Sequence, residues 1–157
     1  MAEVAVYAAV VGAAQPSEPQ AQAAEEVGRR LADAGAIVIT GGGGGVMAAA
    51  SRGAAQAGGL VIGILPGADR AAANQWVAVA LTTGLGELRN GLIVRAADVV
   101  VAVGGAYGTL SEVALALATG TPVIGLDSWA IEGLQVAATP AEAVTQALAR
   151  AGVGRRP

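Results

Sequence analysis

Twice in this chain a run of Val, Ile and Ala ends in a cluster of glycines that opens onto a helix-forming segment. The first cluster, Thr40-Gly41-Gly42-Gly43-Gly44-Gly45-Val46-Met47, follows Ala36-Ile37-Val38-Ile39. The second, Gly104-Gly105-Ala106-Tyr107-Gly108-Thr109-Leu110-Ser111-Glu112, follows Val99-Val100-Val101-Ala102-Val103. A short, unalternating apolar run suits a strand covered on both faces, and such strands belong to parallel sheets. Glycines at the turn let the backbone approach a ligand. The helix start offers unpaired N–H groups and the positive end of a dipole. The pattern thus constrains the chain to strand–loop–helix units and marks two anion-ready loops, with a phosphate-bearing ligand expected between them.

The same alternation runs along the whole sequence. Strands are predicted at Val4–Val11, Ala36–Thr40, Leu60–Leu65, Trp76–Leu81, Asp98–Val103, Pro122–Leu126 and Leu134–Ala137. Helices are predicted at Pro19–Ala34, Val46–Ala57, Gly86–Ala97, Thr109–Thr119 and Pro140–Ala151. Gly35, Gly58-Gly59 and Gly120 stand just past helix ends, Pro140 fits a first helical turn with Thr139 as its cap, and Ser17 can cap the first helix. The fold class expected is a three-layer α/β/α sandwich with a mostly parallel, doubly wound Rossmann-like sheet of about seven strands. Residues 1–152 are read as one domain and residues 153–157 as a flexible tail. Ligands of such sheets sit outside the carboxyl ends of the strands, near the topological switch point. Both glycine loops emerge at that edge, as does the loop Pro66–Gln75 with Asp69, Arg70 and Asn74.

Composition removes several chemistries. The chain contains no His, no Cys and no Lys, so its nine basic residues are all Arg. That excludes His bases, Cys nucleophiles, Schiff-base lysines and His/Cys metal cages, and it removes the lysine a Walker-type phosphate loop requires. No metal site is expected. A net charge of −3, with no basic run beyond Arg155-Arg156, speaks against nucleic acid as partner. The longest apolar stretch, Val4 to Ala14, falls far short of the roughly 20 residues of a membrane span. Met1-Ala2-Glu3 lacks the charge of a secretory signal, so a soluble cytoplasmic protein without a membrane partner is expected.

Within the loops, neither cluster is a dinucleotide fingerprint: G-x-G-x-x-G from Gly41 requires glycine where Val46 stands, and the second loop fails the same test. Glu112 admits two readings. Thr109-Leu110-Ser111-Glu112 matches a capping box. Alternatively, the uniformly apolar Val113–Ala118 implies a helix buried all round, with Glu112 a carboxylate in a dry crevice able to orient water or a hydroxyl. Arg89 and Asn90 open a helix between Leu88 and Leu92-Ile93, away from any charged face. Arg89 is either a solvated surface residue or the phosphate partner of a chain without lysine. Tyr107 can stack on a ligand ring or cover its loop. Arg95 and Asp98 read as structural, Trp76 and Trp129 as packing residues.

Taken in order, Gly41–Gly45, Thr83-Gly84-Leu85-Gly86-Glu87-Leu88-Arg89-Asn90 and Gly104–Glu112 resemble the LOG-like Rossmann superfamily over nearly the whole chain. The label of possible lysine decarboxylase often given to its members does not carry over, because a chain without Lys forms no pyridoxal phosphate Schiff base. In one branch, the cytokinin riboside 5′-monophosphate phosphoribohydrolases, the motif is Pro-Gly-Gly-x-Gly-Thr-x-x-Glu with an upstream Arg. Its glutamate falls on Glu112, its Gly-Thr on Gly108-Thr109 and its Arg on Arg89, whereas Gly104 and Ala106 replace the Pro and the second Gly. The other branch resembles molybdenum cofactor carrier proteins, which bind a phosphorylated pterin without turning it over; Arg89-Asn90 and Gly-Gly-x-x-Gly-Thr-Leu-Ser-Glu look closer to it.

The resemblance implies a nucleotide or molybdenum cofactor as bound ligand rather than a required cofactor. The expected ligand residues are Gly41, Gly42, Gly43, Gly44, Gly45, Arg89, Asn90, Gly104, Gly105, Tyr107, Gly108 and Thr109. A carrier-like binding protein is the first expectation. A phosphoribohydrolase with Glu112 activating water and Arg89 holding phosphate or ribose is the alternative, and a purely structural role ranks third. Helices Gly86–Ala97 and Thr109–Thr119 lack a convincing polar face, so a homodimer or higher homo-oligomer formed through them beside Arg89 and Glu112 is expected.

Overall fold

The computed structural model describes residues 4–152; the tail expected at 153–157 lies outside the described residues. The elements in order are β1 (Tyr7–Gly12), α1 (Glu18–Asp33), β2 (Ile37–Thr40), α2 (Val46–Gln56), β3 (Val61–Leu65), β4 (Val79–Thr82), α3 (Arg89–Ala96), β5 (Val99–Val103), α4 (Tyr107–Thr119), β6 (Val123–Leu126), β7 (Gln135–Ala137) and α5 (Pro140–Ala151). One-turn 3-10 helices occupy Arg70–Ala72 and Gly86–Leu88. All seven strands pair in parallel, in the order β4-β3-β2-β1-β5-β6-β7. This is the three-layer doubly wound sheet expected from the sequence.

The residue pattern dictates the layers. Side chains alternate across a strand, so Ala8 and Val10 of β1 face α1, α2 and α5, while Ala9 and Val11 face α3 and α4. β5 is buried at every position, with Val101 paired to Val10 at the sheet's centre. Val, Ala and Ile dominate both cores, each buried Val or Ile contributing about 1.5–3 kcal/mol over an exposed one.

Caps fix where the helices begin and end. The Ser17 hydroxyl accepts the Gln20 N–H (3.3 Å) and the Gln20 side chain accepts the Ser17 N–H (3.1 Å), closing a capping box on α1. Thr139 caps α5 by accepting the Glu142 N–H at 3.2 Å. Between α1 and α2 the backbones nearly touch. A Cβ on Gly28 would overlap the Ala50 carbonyl, and one on Gly53 the Glu25 carbonyl. These two mid-helix glycines exist for close packing, which offsets their low helix propensity.

Four expectations need correction. β1 starts at Tyr7 rather than Val4, because its partner strands begin level with Tyr7 and Ala8. β4 starts at Val79 rather than Trp76, since Asn74 holds Trp76 and Val77 in a turn through its side chain and carbonyl. The helix expected from Gly86 becomes α-helical only at Arg89; Gly86 has φ +59° and gives its N–H to the Pro66 carbonyl at 2.9 Å. Finally, α4 begins at Tyr107, not after a Thr109 cap, and it is not buried all round. Thr109, Glu112, Val113 and Ala116 face inward while Ala114, Leu115 and Ala118 are exposed.

Candidate functional site

β1 lies between β2 and β5, and the chain leaves it in opposite directions on its two sides. Gly12 and Val103 pair at the carboxyl ends of β1 and β5, and beyond them the chain segments diverge. A cleft of about 840 Å³ opens here, at the topological switch point. Gly12–Ala14 form its floor, Gly41 and Met47 one wall, Glu87–Gly91 a second, and Ala106–Thr109 with Ser111, Glu112 and Leu115 a third.

The start of α4 is open for an anion. Ala106 donates its N–H to Thr109 Oγ1 (3.3 Å), which holds the first turn in place. Among the described residues the N–H groups of Gly105, Tyr107, Gly108 and Thr109 have no acceptor, as expected of a helix start awaiting a ligand. Thr109 is therefore the third residue of the helix rather than its cap. Glu112 lies in the second turn, out of reach of the capping-box role that Thr109-Leu110-Ser111-Glu112 suggests.

Arg89 is tied inward. Its Nη1 donates to the carbonyls of Gly41 (2.5 Å) and Ile64 (2.6 Å), and its Nε to Asn90 Oδ1 (2.9 Å). The absence of a side chain at Gly41 makes this possible, because a Cβ there would lie 2.5 Å from Nη1 and 2.7 Å from Met47 Sδ. From Asn90 the network continues: Nδ2 donates to Ser111 Oγ (3.2 Å), which donates to the Gly108 carbonyl (2.6 Å). One chain of hydrogen bonds thus joins the first glycine loop to the start of α4. Burial lowers the Arg89 pKa, with the nearby Glu112 charge opposing. Glu112 is 7% exposed, and none of the side-chain hydrogen bonds among the described residues engages its carboxylate. Burial pushes its pKa up to about 7, against the pull of Arg89. It is a carboxyl group that titrates near neutrality beside a fixed cation.

The structure brings some sequence-selected residues together and holds others back. Gly41, Arg89, Asn90, Tyr107, Gly108, Thr109 and Glu112 line the cleft. Gly42 packs on Leu65, Gly43 lies under the Met47 methyl, Gly44 is exposed, and Gly45 (φ +65°) backs onto the Ala13 and Ala14 carbonyls. Asn74 pins this loop from outside, donating to the Gly43 carbonyl (3.0 Å) and the Gly42 carbonyl (2.8 Å). Gly104 backs onto the Gln20 amide, and Gly105 onto the indole of Trp129. Tyr107 is 86% exposed at the rim. Met47 and Ser111 are cleft residues that the sequence reading passed over. Ser111, three residues after Gly108 in a first helical turn, is the one with a local signal. Among the described residues no group of three or more His, Cys, Asp or Glu is placed to hold a metal ion, and no helix is long and apolar enough to cross a membrane.

Fold and site together define an α/β/α protein of the Rossmann-like class with an anion-ready cleft at its switch point. The family model of the SLOG cluster4 family matches residues 5–153, and the chain belongs to that family. It is 40% identical over 136 residues to an uncharacterized protein of Archaeoglobus fulgidus, covering 86% of this chain and 89% of the relative. Among solved structures it is similar to the molybdenum cofactor binding protein from the phototrophic bacterium Rippkaea orientalis, with 34% identity, TM-score 0.89, and 93% and 97% of the two chains covered. It is also similar to the Moco carrier protein from Chlamydomonas reinhardtii, with 37% identity, TM-score 0.84, and 93% and 99% covered. The resemblance to the LOG-like Rossmann superfamily carried by Gly41–Gly45, Thr83–Asn90 and Gly104–Glu112 in order therefore stands.

Proposed function

We propose that this protein binds a phosphorylated cofactor of the molybdenum-cofactor kind in the switch-point cleft and carries it without cleaving it. The observation that carries the reading is the first turn of α4, where the unpaired N–H groups of Tyr107, Gly108 and Thr109 converge on one wall of the cleft. The likeness to the two molybdenum cofactor proteins, over nearly the whole of each chain, supports it. The residues present fit such a cargo. The α4 start receives its phosphate, and the apolar Met47 and Pro66 offer surface to a planar ring. The metal would arrive with the ligand, held by the ligand's own atoms. In this reading Arg89 and Asn90 brace the loops, with Arg89 Nη2 left to face the phosphate. The net charge of −3 favours a small molecule over a nucleic acid as partner.

One observation favours a second reading. Glu112, with its raised pKa beside Arg89, has the properties of a general base for water attacking the C1′ of a nucleoside 5′-monophosphate. Incubation with a panel of nucleoside 5′-monophosphates, followed by analysis for free base, separates the two. The carrier reading expects binding by calorimetry and no base released; base release abolished in Glu112→Gln would establish the hydrolase instead.

We further propose a two-fold dimer through α3 and α4. Leu88 (79% exposed), in the turn before α3, makes an apolar stripe with Leu92 and Ala96 of α3, continued by Ala114, Leu115 and Ala118 on α4. Exposed Glu87 and Arg95 stand at opposite ends of that stripe. Antiparallel pairing of two copies places each Arg95 opposite the partner's Glu87.

A further inference from the structure

We propose that Trp129, outside the lined cleft, is a ligand-binding residue: its indole N–H is a donor to the anion held at the start of α4. The proposal rests on the anion-site reading above and extends it to a residue that the sequence presents as packing.

Trp129 follows β6 at the same carboxyl edge of the sheet. Its Nε1 is sealed from solvent and, among the described residues, has no hydrogen-bond partner; the same holds for the neighbouring Ser128 Oγ. A buried N–H without a partner is rare and costly, so it calls for an acceptor or another physical reason. Covering it is Gly105, where an added Cβ would stand 2.8 Å from Nε1. The indole therefore touches the segment whose next residues begin α4, where the N–H groups of Gly105, Tyr107, Gly108 and Thr109 are also unpaired. Unpaired N–H donors thus lie on both sides of Gly105, the indole on one and the first turn of α4 on the other.

The two glycines allow the acceptor to be brought in. Gly104 has φ +58° and Gly105 φ +154°, backbone values that side-chain-bearing residues rarely adopt. Neither carries a side chain that would resist a small displacement. A phosphate oxygen entering at Gly108 and Thr109 draws the Gly105 N–H toward itself. The segment then slides off the indole, and Nε1–H reaches the same anion. Glycine at position 105 has a physical reason in this arrangement: any Cβ would wedge against Nε1 and keep the donor shut.

The test uses the full-length protein and two probes, inorganic sulfate and AMP. Trp76→Phe leaves Trp129 as the single indole, whose N–H resonance and fluorescence are followed during titration. Saturating sulfate is expected to shift both. Trp129→Phe, which keeps the ring and removes the donor, is expected to weaken both probes about ten- to a hundredfold, the scale of a hydrogen bond to a charged group. Equal affinity in Trp129→Phe, or an indole resonance unmoved in a sulfate-saturated protein, overturns the assignment and leaves the anion site standing. Absence of binding in the parent protein itself overturns the anion site and this assignment together. The resonance measurement needs only Trp76→Phe, so it decides the matter even where Trp129→Phe fails to fold.

Discussion

Replacing Glu112 by Gln turns the buried carboxyl into a measurement of the cleft's dielectric. Burial raises its pKa from the usual 4.5 to about 7. The unfolded chain therefore releases this proton first as pH rises, and the folded state is destabilised relative to it. The carboxyl's contribution is fully present below about pH 4.5, declines between 4.5 and 7, and is lost above 7. At about 1.4 kcal/mol per unit the loss is roughly 3 kcal/mol, because at 7% exposure the carboxyl is little screened by solvent. Glutamine does not titrate, and Glu112 caps no helix end, so the substitution removes the pH-dependent penalty without removing a cap. Urea unfolding of both proteins at pH 5 and pH 8 is the assay, read as the difference of differences, so that other titrating groups cancel. Glu112→Gln is expected to gain roughly 2–3 kcal/mol on the wild type between the two pH values. A constant offset between the proteins, or a gain at pH 5 rather than pH 8, would refute the account of Glu112 as a desolvated acid.

Arg89→Ala strands the Gly41 and Ile64 carbonyls; thermal unfolding is expected to show a loss of about 2–4 kcal/mol, and calorimetry a weaker grip on AMP. Unchanged stability would show that those carbonyls need no partner. Gly53→Val should cost at least about 3 kcal/mol by forcing apart α1 and α2 at the Glu25 carbonyl, whereas the same change at exposed Gly44, where a Cβ meets nothing within 4 Å, should cost far less by the same unfolding assay. Light scattering at micromolar concentration should report a dimer or larger assembly, reduced to the 15.1 kDa chain by Leu92→Glu; a wild type of that mass, or an intact assembly in the variant, contradicts the interface.

The sequence was legible where one local rule governs. Unalternating Val and Ile runs marked the buried parallel strands, Ser17 and Thr139 marked helix starts, and Gly35, Gly58 and Gly120 at φ near +78° marked helix ends. It was less legible where tertiary contacts decide. Thr109 looks like a cap because Glu112 follows at the right spacing, yet Ala106 starts the helix and Thr109 serves it from the third position. Gly42 to Gly45 read as ligand residues, but Leu65, Met47 and the Ala13 and Ala14 carbonyls pack against this loop, and of its five glycines only Gly41 lines the cleft. The bracing role of Arg89 requires carbonyls from two other strand ends, and no spacing along the chain announces that. Gly28 and Gly53 look unfavourable for helices until the helix crossing at Ala50 and Glu25 explains them.

That crossing has a consequence for the cleft. With no side chain between them at Gly28 and Gly53, α1 and α2 pack backbone against backbone, and the Val46 N–H stitches the start of α2 to the Ala13 carbonyl at 3.1 Å. The jaw made by Gly12–Ala14 and Gly41 is therefore cast as one piece with the helices behind it. The opposing jaw, α3 and the start of α4, has an outer surface that this chain does not back. If the proposed dimer forms there, its stiffness is borrowed from the second copy, and grip on a ligand and association between copies become a single variable: the dimer reading then expects ligand affinity, followed by calorimetry, to fall as the protein is diluted.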